Sequence, residues 1–534
     1  MRREVGPVSD PAVKIETDSA SKGSQQFRSQ VGHISRHSGA LFAGTIFTVV
    51  IGYFFKIYLA RVLGAEALGI YSLGITLIGF LGAFNSLGLS ESAVRFAGVY
   101  RAAKEPRQLQ GLLWRGGLLL LAANVFFGVI FLGVGGTVAR HFYHSPALAR
   151  YIPWFAGLMA LAAISTFYGR ILAGYQQVGR RTLITNFIGT PATMLIAILL
   201  LSLGWGLRGY LLAQVLSAVL VVCLLLAYVW KLTPPEARRV GWPPPLEREV
   251  WSFSSTAVGI LLLEFLMSQV DKITLGFYRG ARAVGIYSIA AAVVAYVSLI
   301  LTSVNQVFSP VVADLHSRKD DAMLERLYRA LTKWIVGLTL PLAIVVMVYA
   351  RPLLRIFGHD FEAGWPILII GTCGQLVNCG VGSVGLLLFM SGNQRRLLRV
   401  QVAMTAVMTV AGIALVPLWG IVGAAVAAAI GNAGTNTWNL FEVRRVLGFS
   451  PFSRSYLRLL VPTMATLLTA LGLRFEGSIF RSDWFAIAAG LIGSYLVFAG
   501  AVAAMGLDED DRLVARALWS RVLQSVPSME GMQS

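Results

Sequence analysis

Charge is scarce in this sequence, and lysine scarcer still: 13% of the residues are charged, and of 45 basic residues eight are lysine. Set against 56% hydrophobic residues and a mean hydropathy of +0.69, this scarcity excludes a string of soluble domains. The formal charge of +19 comes from arginines scattered between apolar runs. No basic stripe with interleaved aromatics accompanies it, so no nucleic-acid partner is expected. Cysteine is nearly missing. Cys223, Cys373 and Cys379 fall inside apolar runs, where they read as small apolar fillers and not as a disulfide framework or metal site. No lysine follows a glycine, so the GxxxxGK[ST] loop that cradles ATP phosphates is absent, as are HExxH, GxSxG and CxxC. Neither a cofactor nor a metal is expected. Residues 1–37 are polar, without the apolar core of a signal peptide, and are expected to form a disordered cytoplasmic tail.

What the chain does have is long apolar runs. A helix needs about 20 apolar residues to cross the hydrocarbon, and runs of that kind predict spans over 38–60, 69–90, 111–134, 151–174, 182–204, 207–230, 251–271, 284–309, 327–350, 363–390, 400–416, 420–441, 456–473 and 484–506. An even number of spans puts both termini on one side. The loops on that side carry 30 Lys and Arg against 11 on the other, so both termini are assigned to the cytoplasm.

The segment Gly64 to Leu73, GAEALGIYSL, recurs 216 residues later as GARAVGIYSI, Gly280 to Ile289, with seven of ten positions identical. Fainter echoes follow at nearly the same offset: Ala173 to Gln177 with Ser391 to Arg395, and Trp205 to Ala213 with Trp419 to Ala427. Six spans separate the two GIYS corners, which makes this a parallel repeat. The expected architecture is all-α and polytopic, with about fourteen transmembrane helices: a lobe of six spans over 38–230, a proline-rich cytoplasmic linker over 231–250, a second six-span lobe over 251–441, two extra spans within 456–506 and a cytoplasmic tail over 507–534.

LARVLGAEALGIYSL in the first lobe, NSLGLSESAVRF at the end of the second span and QVDKITLGFYRGARAVGIYSIA opening the second lobe resemble the polysaccharide transporter (Wzx-type) branch of the MOP exporter superfamily. The resemblance covers about Leu41 to Met505. It implies a MATE-like fold and a flippase that moves undecaprenyl-pyrophosphate-linked oligosaccharide across the inner membrane. It also implies polysaccharide polymerase and glycosyltransferases as partners. A membrane glycosyltransferase or polymerase generally has a large outer loop, and the outer loops here are short, so an enzyme is disfavoured. A multidrug antiporter of the same superfamily would prefer an acidic cavity.

A pyrophosphate-linked sugar carries about two negative charges, and hydrocarbon exacts a large cost for them, so such a transporter needs a polar, preferably cationic cavity. Ionisable residues within spans are therefore the candidates. Lys56 and Lys272 are equivalent at the offset of 216; they line the cavity or snorkel to water. Asp271 neutralises Lys272 or pairs with Lys56 across the lobes. Glu264, the most interior acid of the seventh span, carries a coupling proton or cation, or accepts a hydrogen bond from Gln269 or a neighbouring helix. Arg95, Arg115 and Arg170 lie at the cytoplasmic ends of spans two to four. As a group they form an entrance that captures the pyrophosphate, or they are ordinary topology anchors. Asn85, Gln214, Asn305 and Gln306 bind sugar hydroxyls or join helices. His141 and His144 read as surface residues, and Asp508 to Asp511 as the start of a short C-terminal helix.

Overall fold

Two helices are too long to be single membrane crossings. In the computed structural model, α1 (Val50–Asn85) has 36 residues and α7 (Arg248–Val297) has 50. Drawn straight, 50 residues would reach about 75 Å, more than twice the hydrocarbon thickness. Each turns at a glycine with positive φ, Gly64 at 76° and Gly280 at 74°. These are the same position of the duplicated segment, and glycine is the residue that takes up this conformation without a Cβ penalty. The repeated corner is therefore a backbone corner in both copies.

The structure describes residues 50–238, 244–452, 454–475 and 482–506. The expected tails at 1–37 and 507–534 lie outside them, as do the start of the first span, the middle of the linker and the Asp508 cluster. Among the described residues every element is helical. After α1 come α2 (Leu89–Ala102), α3 (Pro106–Phe142), α4 (Pro146–Gly174), α5 (Val178–Ser202), α6 (Gly206–Leu232), α7, α8 (Leu299–Ser317), α9 (Asp321–Val348), α10 (Trp365–Val381), α11 (Val384–Met390), α12 (Gln394–Trp419), α13 (Ile421–Leu447), α14 (Leu460–Phe475) and α15 (Asp483–Met505). Ten of the helices among the described residues are long and apolar enough to cross a membrane, against the fourteen spans expected. Two pairs of expected spans are joined through the glycine corners. Of the other two, α14 has 16 residues, and α13 carries Asn432, Thr435 and Asn436 along its length. In α5, Pro191 follows a π-helical stretch, Leu183–Gly189. A ring without an N–H disturbs the ladder there, and a widened turn accommodates it.

The described residues from Tyr53 onward form one compact unit. In its first half α4 packs against α2, α3 and α6; in its second half α10, α12 and α13 pack together and against α7, and α14 and α15 lie against α9. The cores reveal how the halves meet. At the end bearing the glycine corners, one buried cluster takes residues from both halves, among them Leu73, Phe155, Tyr287, Leu354 and Phe361. At the opposite end, toward the linker, the cores are separate. One holds Leu89, Phe96, Phe167 and Leu225; the other holds Phe308, Tyr328, Leu387 and Val443.

The corner end is closed at very short range. A Cβ on Gly69 would stand 1.7 Å from the Ala281 carbonyl oxygen, and one on Gly285 would stand 1.8 Å from that of Ala65. Ala65 and Ala281, like Gly69 and Gly285, are 216 residues apart, so the two copies of the repeat embrace each other reciprocally. Lipid tails are as apolar as leucine and supply little hydrophobic drive, so helices in a membrane gain contact by small residues that admit close backbones. Arg61 adds a polar tie across the halves, donating from Nε to the Ile356 carbonyl at 2.8 Å.

Candidate functional site

Where the cores separate, a cavity of about 720 Å³ lies between α2, α4 and the first turns of α7. Its α7 wall is one helical face: Glu249, Phe253, Thr256, Ile260 and Glu264 recur at three- or four-residue spacing. Its α2 wall is set by Gly88. This glycine, with φ 66°, sits so close to α7 that a Cβ would meet the Ser254 carbonyl oxygen at 2.1 Å. The approach lets the Ser92 and Ser254 hydroxyls hydrogen bond at 2.6 Å. Glu91 and Arg95, one turn apart on α2, are thereby presented to the cavity.

Two of the three expected entrance arginines are brought together here. Arg95 is exposed, with its guanidinium 5.3 Å from the Phe96 ring centre and 5.4 Å from that of Phe253. Arg170, from the end of α4, donates from Nη2 to Glu91 Oε1 at 2.7 Å. Arg115 sits in a π-helical turn, Gly111–Arg115, and is not among the lining residues. Glu264 faces this cavity and is exposed; Gln269, its expected donor, instead accepts from the Thr76 hydroxyl at 3.2 Å and from Lys272 Nζ at 2.9 Å. The lining thus holds Arg95 and Arg170 with Glu91, Glu249 and Glu264, which is mixed in sign and not the cationic surface expected. Sequence reading did not single out Glu91, Glu249 or Phe253. The four-residue spacing of Glu91 and Arg95 was the available signal for the first.

Lys56 is exposed and Lys272 half-buried, the latter donating from Nζ to Gln269 Oε1 at 2.9 Å. Asp271 forms an ion pair with neither within 4.0 Å among the described residues. Its Oδ1 accepts the Lys272 backbone N–H at 2.8 Å and its Oδ2 accepts the Tyr287 hydroxyl at 2.7 Å. Tyr287 belongs to the second GIYS corner and is buried, so Asp271 is held by the corner next to it in the chain and not by Lys56 across the halves. Asp271 and Tyr287 also edge a second cavity of about 480 Å³ in the second half, with Gln375, Asn378, Thr405 and Asn432. Tyr71, the partner of Tyr287 in the repeat, packs with Phe155 and Tyr210, and the Gln214 amide donates to both tyrosine hydroxyls, at 2.9 Å and 2.8 Å.

Two of the remaining polar candidates tie separate segments together. Asn85 donates to Asn124 at 2.8 Å, and Asn305 accepts from Ser383. Gln306 is exposed. Among the described residues no group of His, Cys, Asp and Glu is disposed to hold a metal.

A family model described as "Polysaccharide biosynthesis protein" matches residues 58–363, more than half of the chain. Among solved structures, the chain is similar to a lipid II flippase, MurJ, in an inward closed conformation, with 14% identity and a TM-score of 0.68 over 91% of this chain and 99% of that one. It is also similar to an inward-facing MATE multidrug resistance transporter of the MOP superfamily, with 16% identity and a TM-score of 0.64 over 74% and 94% of the two chains. A Vibrio cholerae MATE transporter aligns with 13% identity and a TM-score of 0.54 over 78% and 97%. No curated protein sequence matches. These likenesses establish a MATE-like transporter fold in a multi-pass membrane protein.

Proposed function

The chain belongs to the polysaccharide biosynthesis protein family, and from that membership we propose that it is a flippase for undecaprenyl-pyrophosphate-linked oligosaccharide, working by alternating access in the inner membrane with both termini in the cytoplasm. The observation that carries this reading is the meeting of Arg95 and Arg170 in one cavity at the end where the two halves have separate cores. Guanidinium groups suit phosphate through paired N–H donors. A volume of about 720 Å³ falls within the range of ligand pockets.

In this cycle the arginines take the pyrophosphate from the inner leaflet, the sugars enter between the two lobes, and the lipid tail stays in the bilayer. The reciprocal Gly69 and Gly285 contact seals the far end until the lobes rock apart. Moving a diphosphate moves charge, so the step is coupled to membrane potential or an ion gradient, with Glu264 as the carrier of a proton or cation. Polymerase and glycosyltransferases act after and before it on the same lipid-linked units.

A strain lacking the protein is expected to accumulate lipid-linked oligosaccharide facing the cytoplasm and to lose the corresponding surface glycan. Unchanged surface glycan would refute the reading. The three glutamates in the same cavity favour a second reading, export of cationic compounds. That reading expects overexpression to raise resistance to cationic drugs with lipid-linked intermediates undisturbed.

A further inference from the structure

Glu91 is the one acid that the cavity's arginines engage at ion-pair distance among the described residues. It reaches Arg170 from another helix, 79 residues away in sequence, with both side chains about one-third exposed at 32% and 35%. The contact is incomplete. One carboxylate oxygen meets Nη2, while Nε of the same guanidinium is buried and has no hydrogen-bond partner among the described residues. An Arg fork offers Nε–H and Nη2 along one edge, the edge that a carboxylate or phosphate engages with two oxygens. Here that edge is half used.

A third arginine lies nearby: a Cβ on Gly169, the residue before Arg170, would stand 3.4 Å from Arg181 Nε. The cluster is not part of the duplicated scaffold: at the offset of 216, the positions equivalent to Glu91, Arg95 and Arg170 are Val307, Val311 and Leu386.

We propose that Glu91 is a built-in competitor for the phosphate site: its carboxylate occupies the Arg170 fork in the empty protein, and a phosphate group of the cargo displaces it. The proposal rests on the flippase reading and adds its regulation. The glutamate holds Arg170 in place before substrate arrives, and its return sets an affinity low enough for release at the other face. The ligand chemistry is a phosphate or diphosphate anion, borne by a prenyl lipid or free in solution.

The test uses the full chain in lipid nanodiscs and titrates farnesyl pyrophosphate or inorganic pyrophosphate. Removing the competitor in Glu91→Gln is expected to tighten farnesyl pyrophosphate binding about tenfold, the scale of one charge-assisted hydrogen bond. Arg170→Gln is expected to weaken it. In the Glu91→Gln, Arg170→Gln double variant the gain should vanish, since it acts through Arg170. Glu91→Asp retains the charge but is a methylene shorter, so it should tighten binding by a smaller factor and serves if the Gln variant folds poorly. Equal or weaker binding in both Glu91 variants, with Arg95→Gln and Arg170→Gln still weakening it, would overturn the competitor and leave the flippase reading standing. No binding of farnesyl pyrophosphate by any form would overturn both. Preference for farnesyl over inorganic pyrophosphate supports a lipid-borne group, and equal affinity supports the free anion.

Discussion

Arg95 meets the cavity as an exposed cation beside two rings, 5.3 and 5.4 Å from their centres, and without an ion pair among the described residues. Such contacts contribute about 0.5–1 kcal/mol at exposed sites and fix the plane of the guanidinium while leaving its N–H groups free. Arg95→Ala is therefore expected to lower transport of lipid-linked oligosaccharide at least tenfold, since a charge-assisted hydrogen bond contributes about 1.5–3 kcal/mol. Arg95→Lys should fall between, because it keeps the charge and loses the fork. Surface glycan formed in a deletion strain carrying each variant, at matched membrane abundance, measures this. At the other candidate cluster, Tyr287→Phe removes the donor to Asp271 Oδ2. A buried acceptor left unpaired costs about 1–3 kcal/mol, so the variant should melt several degrees lower in detergent, and an unchanged melting temperature would show that the bond is dispensable.

At the scale of the element, the glycine corners separate two kinds of constraint. A methyl added to Gly64 or Gly280 would meet nothing within 4 Å, so alanine there faces only the strain of a backbone at positive φ, at about 1–3 kcal/mol. Gly69 and Gly285 lie in helix but against a carbonyl of the other half, where a methyl cannot fit. Gly64→Ala is expected to lower stability and preserve transport. Gly69→Ala and Gly285→Ala are expected to keep the fold and hold the corner end open. A cysteine placed near that corner, with exposed Cys223 and Cys373 replaced, should then react faster with a membrane-impermeant maleimide. The helices themselves were readable because each long apolar run had to become one, and the repeat was readable because its glycines recur. The contact between its copies was not, since sequence carries no sign of which repeated backbone faces which. The Glu91 and Arg170 pair was hidden for a similar reason: nothing local links residues 79 apart. One expected span was blurred by chemistry and not by length, as α13 carries amides along a helix of 27 residues.

Across the whole molecule, α7 holds the two halves in a definite relation. Its first turns share a core with the first half, where Val250 belongs to one buried cluster with Leu89, Phe96 and Tyr100, and α7 also meets α10 and α12 of the second half. If the lobes rock as rigid bodies, the start of α7 must travel with the first. The Ser92 and Ser254 hydroxyls, 2.6 Å apart, mark that attachment. Replacing both with cysteine puts two sulfurs where a disulfide of about 2.05 Å needs only a slight adjustment. In a background without Cys223, Cys373 and Cys379, oxidation of this pair is expected to leave at least half of the transport, because it binds groups that never separate. Gly69→Ala in the same background should abolish transport, because it acts where the halves must meet and part. Should oxidation instead stop transport and a reductant restore it, the first turns of α7 leave α2 during the cycle. The moving element would then be α7, bending along its own length, and the cavity wall bearing Glu249 and Glu264 would be carried away from the arginines at each turnover.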